Sequence, residues 1–235
     1  PALPWVGVMA LSISPWLVAV KLPVNCLSID IRPKLMPCCP CAYPSIGANV
    51  TVNGTTFYLS SHMEVDGDFT VNNSGILQQG STTANLGNGT VAYKQVGQTS
   101  ATSLNQWSSP VNNAALLSVF ASSNPCDVWA FDASDQSWKY DYSVGTNLTC
   151  FNNTPYTIPA QFALSGADGT MDVGRGYSGP GIAGGERSFE SSGFNNGTQS
   201  FAVSGTGQGW NLVGNPYPSP ISADQFLTDN SAILT

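Results

Sequence analysis

Charge is scarce in this chain. Asp, Glu, Lys and Arg make up 9% of its 235 residues, against about 25% in an average soluble domain. Seven residues are Lys or Arg and the net charge is −7. Phosphate recognition needs clusters of bases, so this balance speaks against nucleic acid as a partner. Histidine is rarer still. With His62 alone, Ser-His catalysis or a His-rich metal site would have to be built around one imidazole. Long apolar runs are also missing. Residues 5–20, WVGVMALSISPWLVAV, are interrupted by Pro15, too short and too broken for a confident membrane span. The stretch also lacks the basic flank and small-residue cleavage site of a signal peptide.

What polarity there is comes from Gly, Asn, Ser and Thr, and it is unevenly distributed. Residues 1–44 hold eight of the sixteen Pro, four of the six Cys and a single Gly, and carry +2. Residues 45–235 hold the other 23 Gly and carry −9, four bases against thirteen acids. Such a break marks a boundary. We expect residues 1–44 to be an atypical Pro/Cys-rich leader outside the fold. Its PCCPC run (37–41) places three thiols in four residues, without the paired C-x₂-C knuckles of a zinc ribbon.

From 46 to about 96 the sequence alternates. Val50, Val52, Phe57, Leu59, Met63, Val65, Phe69 and Val71 recur at period two, separated by Asn-Gly, Asp-Gly and Asn-Ser-Gly turns. Residues 45–100 are therefore expected to be a short β-meander or a few rungs of a β-solenoid, and alternation alone leaves both open. Residues 101–235 are expected to be a β-sandwich or jelly-roll-like module. One helical stretch is expected, near 113–121. In CDVWAFDASDQSWKYDYSVGTNLTC (126–150), Val128 and Ala130 alternate on one strand, and Trp138, Tyr140 and Tyr142 on the other, across the turn DASDQS. Cys126 and Cys150 bracket this hairpin, and in an oxidising compartment a disulfide between them would close a loop of about 25 residues. The fold class is all-β.

The segment GWNLVGNPYPSPISADQFL (209–227), preceded by a GRGY strand and a W-S-S-P-V strand, resembles a module recurrent in large extracellular proteins of Bacteroidetes. Those proteins are typically exported by the type IX secretion system. The resemblance covers about residues 104–233. It implies a secreted or cell-surface bacterial module, non-enzymatic, structural or adhesin-like, at the outer-membrane surface or beyond. Its partners would be other domains of the same polypeptide and, by extension, surface glycans or proteins. Such proteins usually end in a small sorting domain. The chain stops at NSAILT, inside what reads as an unfinished element, so it is expected to be an internal fragment.

The motif also has a physical reading of its own. Trp210 and Leu212 at alternate positions are expected to face a core. Pro216, Pro218 and Pro220 restrict Asn215, Tyr217 and Ser219 to extended conformations, giving a stiff exit from a strand. This describes a structural brace and contains no catalytic group.

Other chemistries have local candidates. Asp66, Asp68, Asp132, Asp135, Asp168 and Asp172 lie in Asp-rich turns that could supply oxygens to calcium, though Asp-Gly is equally a turn former. No other cofactor is expected. Trp129, Trp138 and Tyr140 could form a glycan-stacking platform, making the chain a carbohydrate-binding accessory module. Alternatively, alternating aromatics on a hairpin are core. A glycoside hydrolase would need two carboxylates about 5–10 Å apart, and Glu186 and Glu190 beside the Gly-rich loop are the nearest approach to such a pair. GRGYSG (174–179) matches G-x-G-x-x-G in letters only, because Pro180 and the glycines after it leave no helix to receive a phosphate.

Overall fold

A computed structural model describes residues 9–13, 16–20, 45–47, 49–59, 63–79, 87–100, 102–182, 184–205 and 209–232. His62 and the thiols of 37–41 lie outside the described residues. Of the leader, β1 (Met9–Ile13) and β2 (Trp16–Val20) pair as an antiparallel hairpin.

From residue 45 the chain winds as a solenoid. β3 (Ser45–Ile46), β4 (Val50–Val52) and β5 (Thr56–Leu59) form one turn. β6 (Glu64–Val65), β7 (Asp68–Val71) and β8 (Ile76–Gln79) form the next. Each strand lies parallel to its counterpart, with Ser45 beside Glu64, Val50 beside Phe69 and Thr56 beside Ile76. β9 (Thr90–Val96) adds a third layer on β7. The leader hairpin touches this stack where Ser12 pairs antiparallel with Thr51.

Parallel, in-register winding places like on like. Val50, Phe69 and Val91 form one column, Val52, Val71 and Tyr93 a second, and Phe57 and Leu77 a third, all buried. Burial of each such side chain contributes about 1.5–3 kcal/mol. The turns repeat in the same way. The Asn72 side-chain amide donates to Asn53 Oδ1, and the Asp68 backbone N–H donates to Asn49 Oδ1 at 3.2 Å. Between the two expectations for this region, the structure gives solenoid rungs, because all four pairings are parallel.

The second half is antiparallel. β10 (Leu104–Trp107) leads through α1 (Leu116–Val119) to the hairpin of β11 (Trp129–Asp132) and β12 (Ser137–Lys139). A small ladder, β13 (Asn147–Thr149) with β14 (Pro155–Thr157), follows. β15 (Tyr177–Pro180) then inserts between β10 and β11, giving a four-stranded sheet ordered β10-β15-β11-β12. β16 (Glu186–Ser191) leaves this sheet and pairs antiparallel with β9, from Glu186 opposite Val96 to Ser191 opposite Val91. The chain thus returns to seal the open side of the solenoid's last strand. Trp107 packs on Phe189 (6.1 Å between ring centroids) and Phe69 on Phe194 (5.7 Å), so one core runs through both halves. The all-β expectation is met.

Two local expectations are corrected. The GWNLVGNPYP stretch forms no strand. Val213 makes only an isolated bridge, to Arg175. Trp210, expected to face the core, is 68% exposed. The chain's last described element, α2 (Ala223–Asp229), is capped by Ser222 Oγ, which accepts from the Gln225 N–H at 3.2 Å.

Candidate functional site

The segment 209–221 is a junction of hydrogen bonds. Asn215 Oδ1 accepts from the Tyr217 N–H (3.0 Å) and its amide donates to the Ser219 carbonyl (2.7 Å), closing the turn on itself. Tyr217 Oη donates to the Gly197 carbonyl (2.7 Å). Pro216 and Pro218 are buried, and the Pro218 carbonyl accepts from the Leu77 N–H of the solenoid at 3.1 Å. Ser108, of the W-S-S-P-V segment, donates to the Asn215 carbonyl at 2.6 Å. A Cβ on Gly214 would lie 2.2 Å from that of Ser108, so the glycine is required by close approach. Trp210 is held by its backbone. Its carbonyl accepts from Gln136 Nε2 (3.0 Å) and its N–H donates to Gln136 Oε1 (3.2 Å). A residue fixed through its main chain can turn its ring outward.

The acidic turns close on themselves. Asp132 Oδ1 accepts from the Ser134 N–H (2.9 Å) and Oγ (2.6 Å), and Asp168 Oδ1 from the Thr170 N–H (2.9 Å) and Oγ1 (2.6 Å). Asp135 pairs with Lys139 at 2.8 Å and Asp172 with Arg175 at 3.0 Å. Lys139 and Ser137 hold the Asp135 carboxyl below its ordinary value. Asp66 Oδ1 receives the Asn88 N–H at 3.5 Å, while Asp68 opens β7. Among the described residues, no group of three or more His, Cys, Asp or Glu converges as a metal site.

The hairpin aromatics are largely committed to each other. Tyr140 is buried and its ring stacks on Trp129, 4.2 Å between centroids. Of the three stacking candidates Trp138 is exposed, at 44%, with Phe131 set edge-on to it at 5.3 Å. Cys126 and Cys150 are disulfide-bonded, Cα atoms 5.6 Å apart, and Tyr140 Oη donates to the Cys126 carbonyl at 3.1 Å. Glu186 pairs with Lys94 (3.2 Å), and Glu190 accepts from Ser188 Oγ (2.9 Å). Both acids sit on β16, where four residues span about 13 Å.

A cleft of about 310 Å³ opens where the solenoid's last strand meets β10, lined by Asn73, Tyr93, Gln95, Asn105, Gln106 and Trp107 among others. None of its lining residues is charged. Asn73 Oδ1 is occupied by the Val96 N–H (2.8 Å) and Asn105 Oδ1 by the Gln98 N–H (2.9 Å). Beside it two donors, Asn105 Nδ2 and Trp107 Nε1, are buried with no hydrogen-bond partner among the described residues.

The comparisons with known proteins bear on the chain as a whole. Residues 45–235 match the sequence profile described as Domain of unknown function (DUF8693). The chain belongs to that family. Neither the curated proteins nor the solved structures contain a match. The DUF8693 match begins at residue 45, where the composition changes and the solenoid starts.

Two buried charged groups of the DUF8693 domain escaped the sequence reading. Asp141 is 3% exposed and accepts a 2.6 Å hydrogen bond from Tyr177 Oη. Burial pushes its pKa up to about 6, against the opposing effect of that hydrogen bond. Arg187 is 2% exposed and faces carbonyls and a hydroxyl, with no carboxylate in its bonding set. The available signal was the alternation of β16, which places Arg187 on the same side as Phe189. The cleft left a fainter trace. Trp107 opens the W-S-S-P-V segment, but nothing local shows that Asn73 and Gln95 lie beside it.

Proposed function

We propose that this domain is a non-enzymatic structural module of a secreted or surface-displayed bacterial protein, which spaces or displays neighbouring domains in the manner of an adhesin segment. The observation that carries this reading is the double pairing of β9, parallel to β7 and antiparallel to β16. Through it one strand of the antiparallel half, β16, joins the solenoid's sheet while β10, β15, β11 and β12 form their own, a stiff connection suited to holding other domains apart. The 209–227 motif supports export by a type IX route, through its resemblance to modules of exported proteins. The disulfide supports an oxidising destination.

Intact cells producing the parent protein provide the test. Surface shaving with a protease, followed by mass spectrometry without reduction, should release peptides of this domain with Cys126 linked to Cys150. Recovery only from the cell interior, with both thiols free to alkylate, would overturn the assignment to the surface. Hydrolysis of a polysaccharide by the purified chain, lost in Glu190→Gln, would overturn the non-enzymatic role.

A further inference from the structure

We infer that Asn196 is a site of spontaneous covalent modification, at which the folded domain converts an asparagine to aspartate and isoaspartate. The tripeptide Asn-Gly-Thr occurs at 53–55, 88–90 and 196–198. In each, the glycine nitrogen can attack the preceding side chain with no Cβ in its way. Local sequence gives the three similar reactivity, so any large difference between them comes from the fold.

The reaction runs through the glycine N–H. Its proton leaves to hydroxide, the nitrogen bonds to the asparagine Cγ, and the Cγ–Nδ2 bond breaks to release ammonia. Water then opens the cyclic imide at either carbonyl, giving aspartate or isoaspartate with no change of oxidation state. A hydrogen bond from that N–H holds both its proton and its position. The Gly54 N–H donates to Ser74 Oγ (3.0 Å) and the Gly89 N–H to the Val65 carbonyl (2.7 Å). Asn53 is further tied through Oδ1, which accepts from the Asn72 side-chain amide. The Gly197 N–H has no acceptor among the described residues. The carbonyl of the same peptide unit, that of Asn196, instead accepts from Gln199 Nε2 at 2.5 Å. Loss of the N–H proton spreads negative charge onto that oxygen, and a donor already aimed there stabilises it. Exposure ranks the three sites the other way, because Asn53 and Asn88 are exposed and Asn196 is half-buried. The hydrogen bonds decide.

The chain is anchored on both sides of Asn196. Asn195 donates its N–H to the Pro110 carbonyl (2.9 Å) and its side-chain amide to the Ser109 carbonyl (3.1 Å). Beyond it, the Gly197 carbonyl accepts from Tyr217 Oη. Isoaspartate routes the main chain through the side-chain carbon, which adds a methylene between these anchors. It therefore loosens the bond by which Tyr217 holds the 209–221 segment. The modification is independent of the spacing role, which survives if Asn196 is inert.

The test ages the full chain at mildly alkaline pH, folded and in urea, and follows its peptides by mass spectrometry, with isoaspartate assigned by electron-transfer fragmentation. In urea the three sites should react at similar rates. In the folded chain Asn196 should react at least about tenfold faster than Asn53 and Asn88, the rate difference of about one hydrogen bond broken and one donor missing. Gln199→Ala keeps the backbone N–H that meets Tyr217 Oη. It should slow Asn196 about two- to tenfold in the folded chain and leave its rate in urea unchanged. Ser74→Ala frees the Gly54 N–H and should speed the reaction at Asn53. The isoaspartate fraction should melt below the parent, and Asn196→Asp, whose main chain is intact, should not. The proposal is overturned if Asn53 or Asn88 reacts as fast as Asn196 in the folded chain. It is equally overturned if Asn196 survives there after the urea sample has lost it. The parent chain alone decides this, whatever the variants do. Unchanged rates in both variants would overturn the selection by hydrogen bonds, and an unchanged melting midpoint the link to Tyr217.

Discussion

The guanidinium carbon of Arg187 lies 4.3 Å from the centroid of the Phe120 ring. Arg187 Nη1 donates to the Val119 carbonyl at the end of α1 (3.0 Å), and Nη2 to Ser123 Oγ (2.6 Å) and to the Pro180 carbonyl of β15 (2.5 Å). One side chain from the strand that seals the solenoid thus joins the helix, the loop after it and the antiparallel sheet. A cation at a helix C-terminus and over an aromatic face is favourably placed, and the three acceptors offset part of its burial, while Nε is buried with no partner among the described residues. Removing it orphans those acceptors and opens a void. Arg187→Ala should therefore cost about 3 kcal/mol or more. Arg187→Lys should recover only part, because an ammonium cannot reproduce the planar fork. Urea midpoints of the three proteins check the order.

Asp141 gives the domain an unusual acid response. Its folded pKa is about 6, above the roughly 3.9 of an unfolded Asp. Between those values the folded state keeps a proton that the unfolded chain has released. The contribution to stability is therefore fully present below the unfolded value and is lost as pH rises through the folded one, by about 3 kcal/mol in total. Asp172 and Asp168 raise the carboxyl further and Arg175 lowers it. The difference in stability between the parent and Asp141→Asn should change between pH 4 and pH 6.5 and be flat above it. Denaturation curves across that range measure it, and parallel curves would show that Asp141 titrates normally.

The disulfide should be a major fixed contribution to stability. Cys126 and Cys150 are separated by 24 residues, a loop whose closure in the unfolded chain corresponds to about 3 kcal/mol. Replacing both with Ser should lower stability by about that amount. Adding a reductant should lower the parent's melting midpoint and leave the double variant where it is.

Trp210 and Gly214 should behave in opposite ways. Trp210 is 68% exposed and is held through backbone bonds to Gln136. Alanine keeps those bonds, so Trp210→Ala should change stability by less than about 1 kcal/mol. Gly214→Ala puts a Cβ 2.2 Å from that of Ser108 and should cost about 1–3 kcal/mol, as overpacking does. Chemical denaturation separates them. A large loss for Trp210→Ala alone would return the indole to the core.

Much of the inside-outside pattern was legible. Val50, Val52, Phe57, Leu59, Met63, Val65, Phe69 and Val71 alternate in the sequence and every one is buried, because a strand with one face on a core writes its period directly. The DASDQS hairpin and its flanking cysteines were legible for a similar reason, since their partners are neighbours in the chain. Trp210 alternates with Leu212 as a half-buried strand would, yet it is 68% exposed. The segment is held by hydrogen bonds to residues far away in the chain, Gln136 and Gly176 among them, which alternation does not record.

The sequence by itself determined the all-β class, the strands of the first half and the disulfide-closed hairpin, all of which depend on residues a few positions apart or on a short closed loop. Only the tertiary structure decided that the strands stack in parallel, that β16 returns across some ninety residues to β9, and that Asn73, Asn105 and Trp107 share one uncharged cleft. The physical reason is that period-two alternation records which face of a strand meets the core and carries no record of the strand beside it. That neighbour is chosen by packing and hydrogen bonding summed over the whole fold.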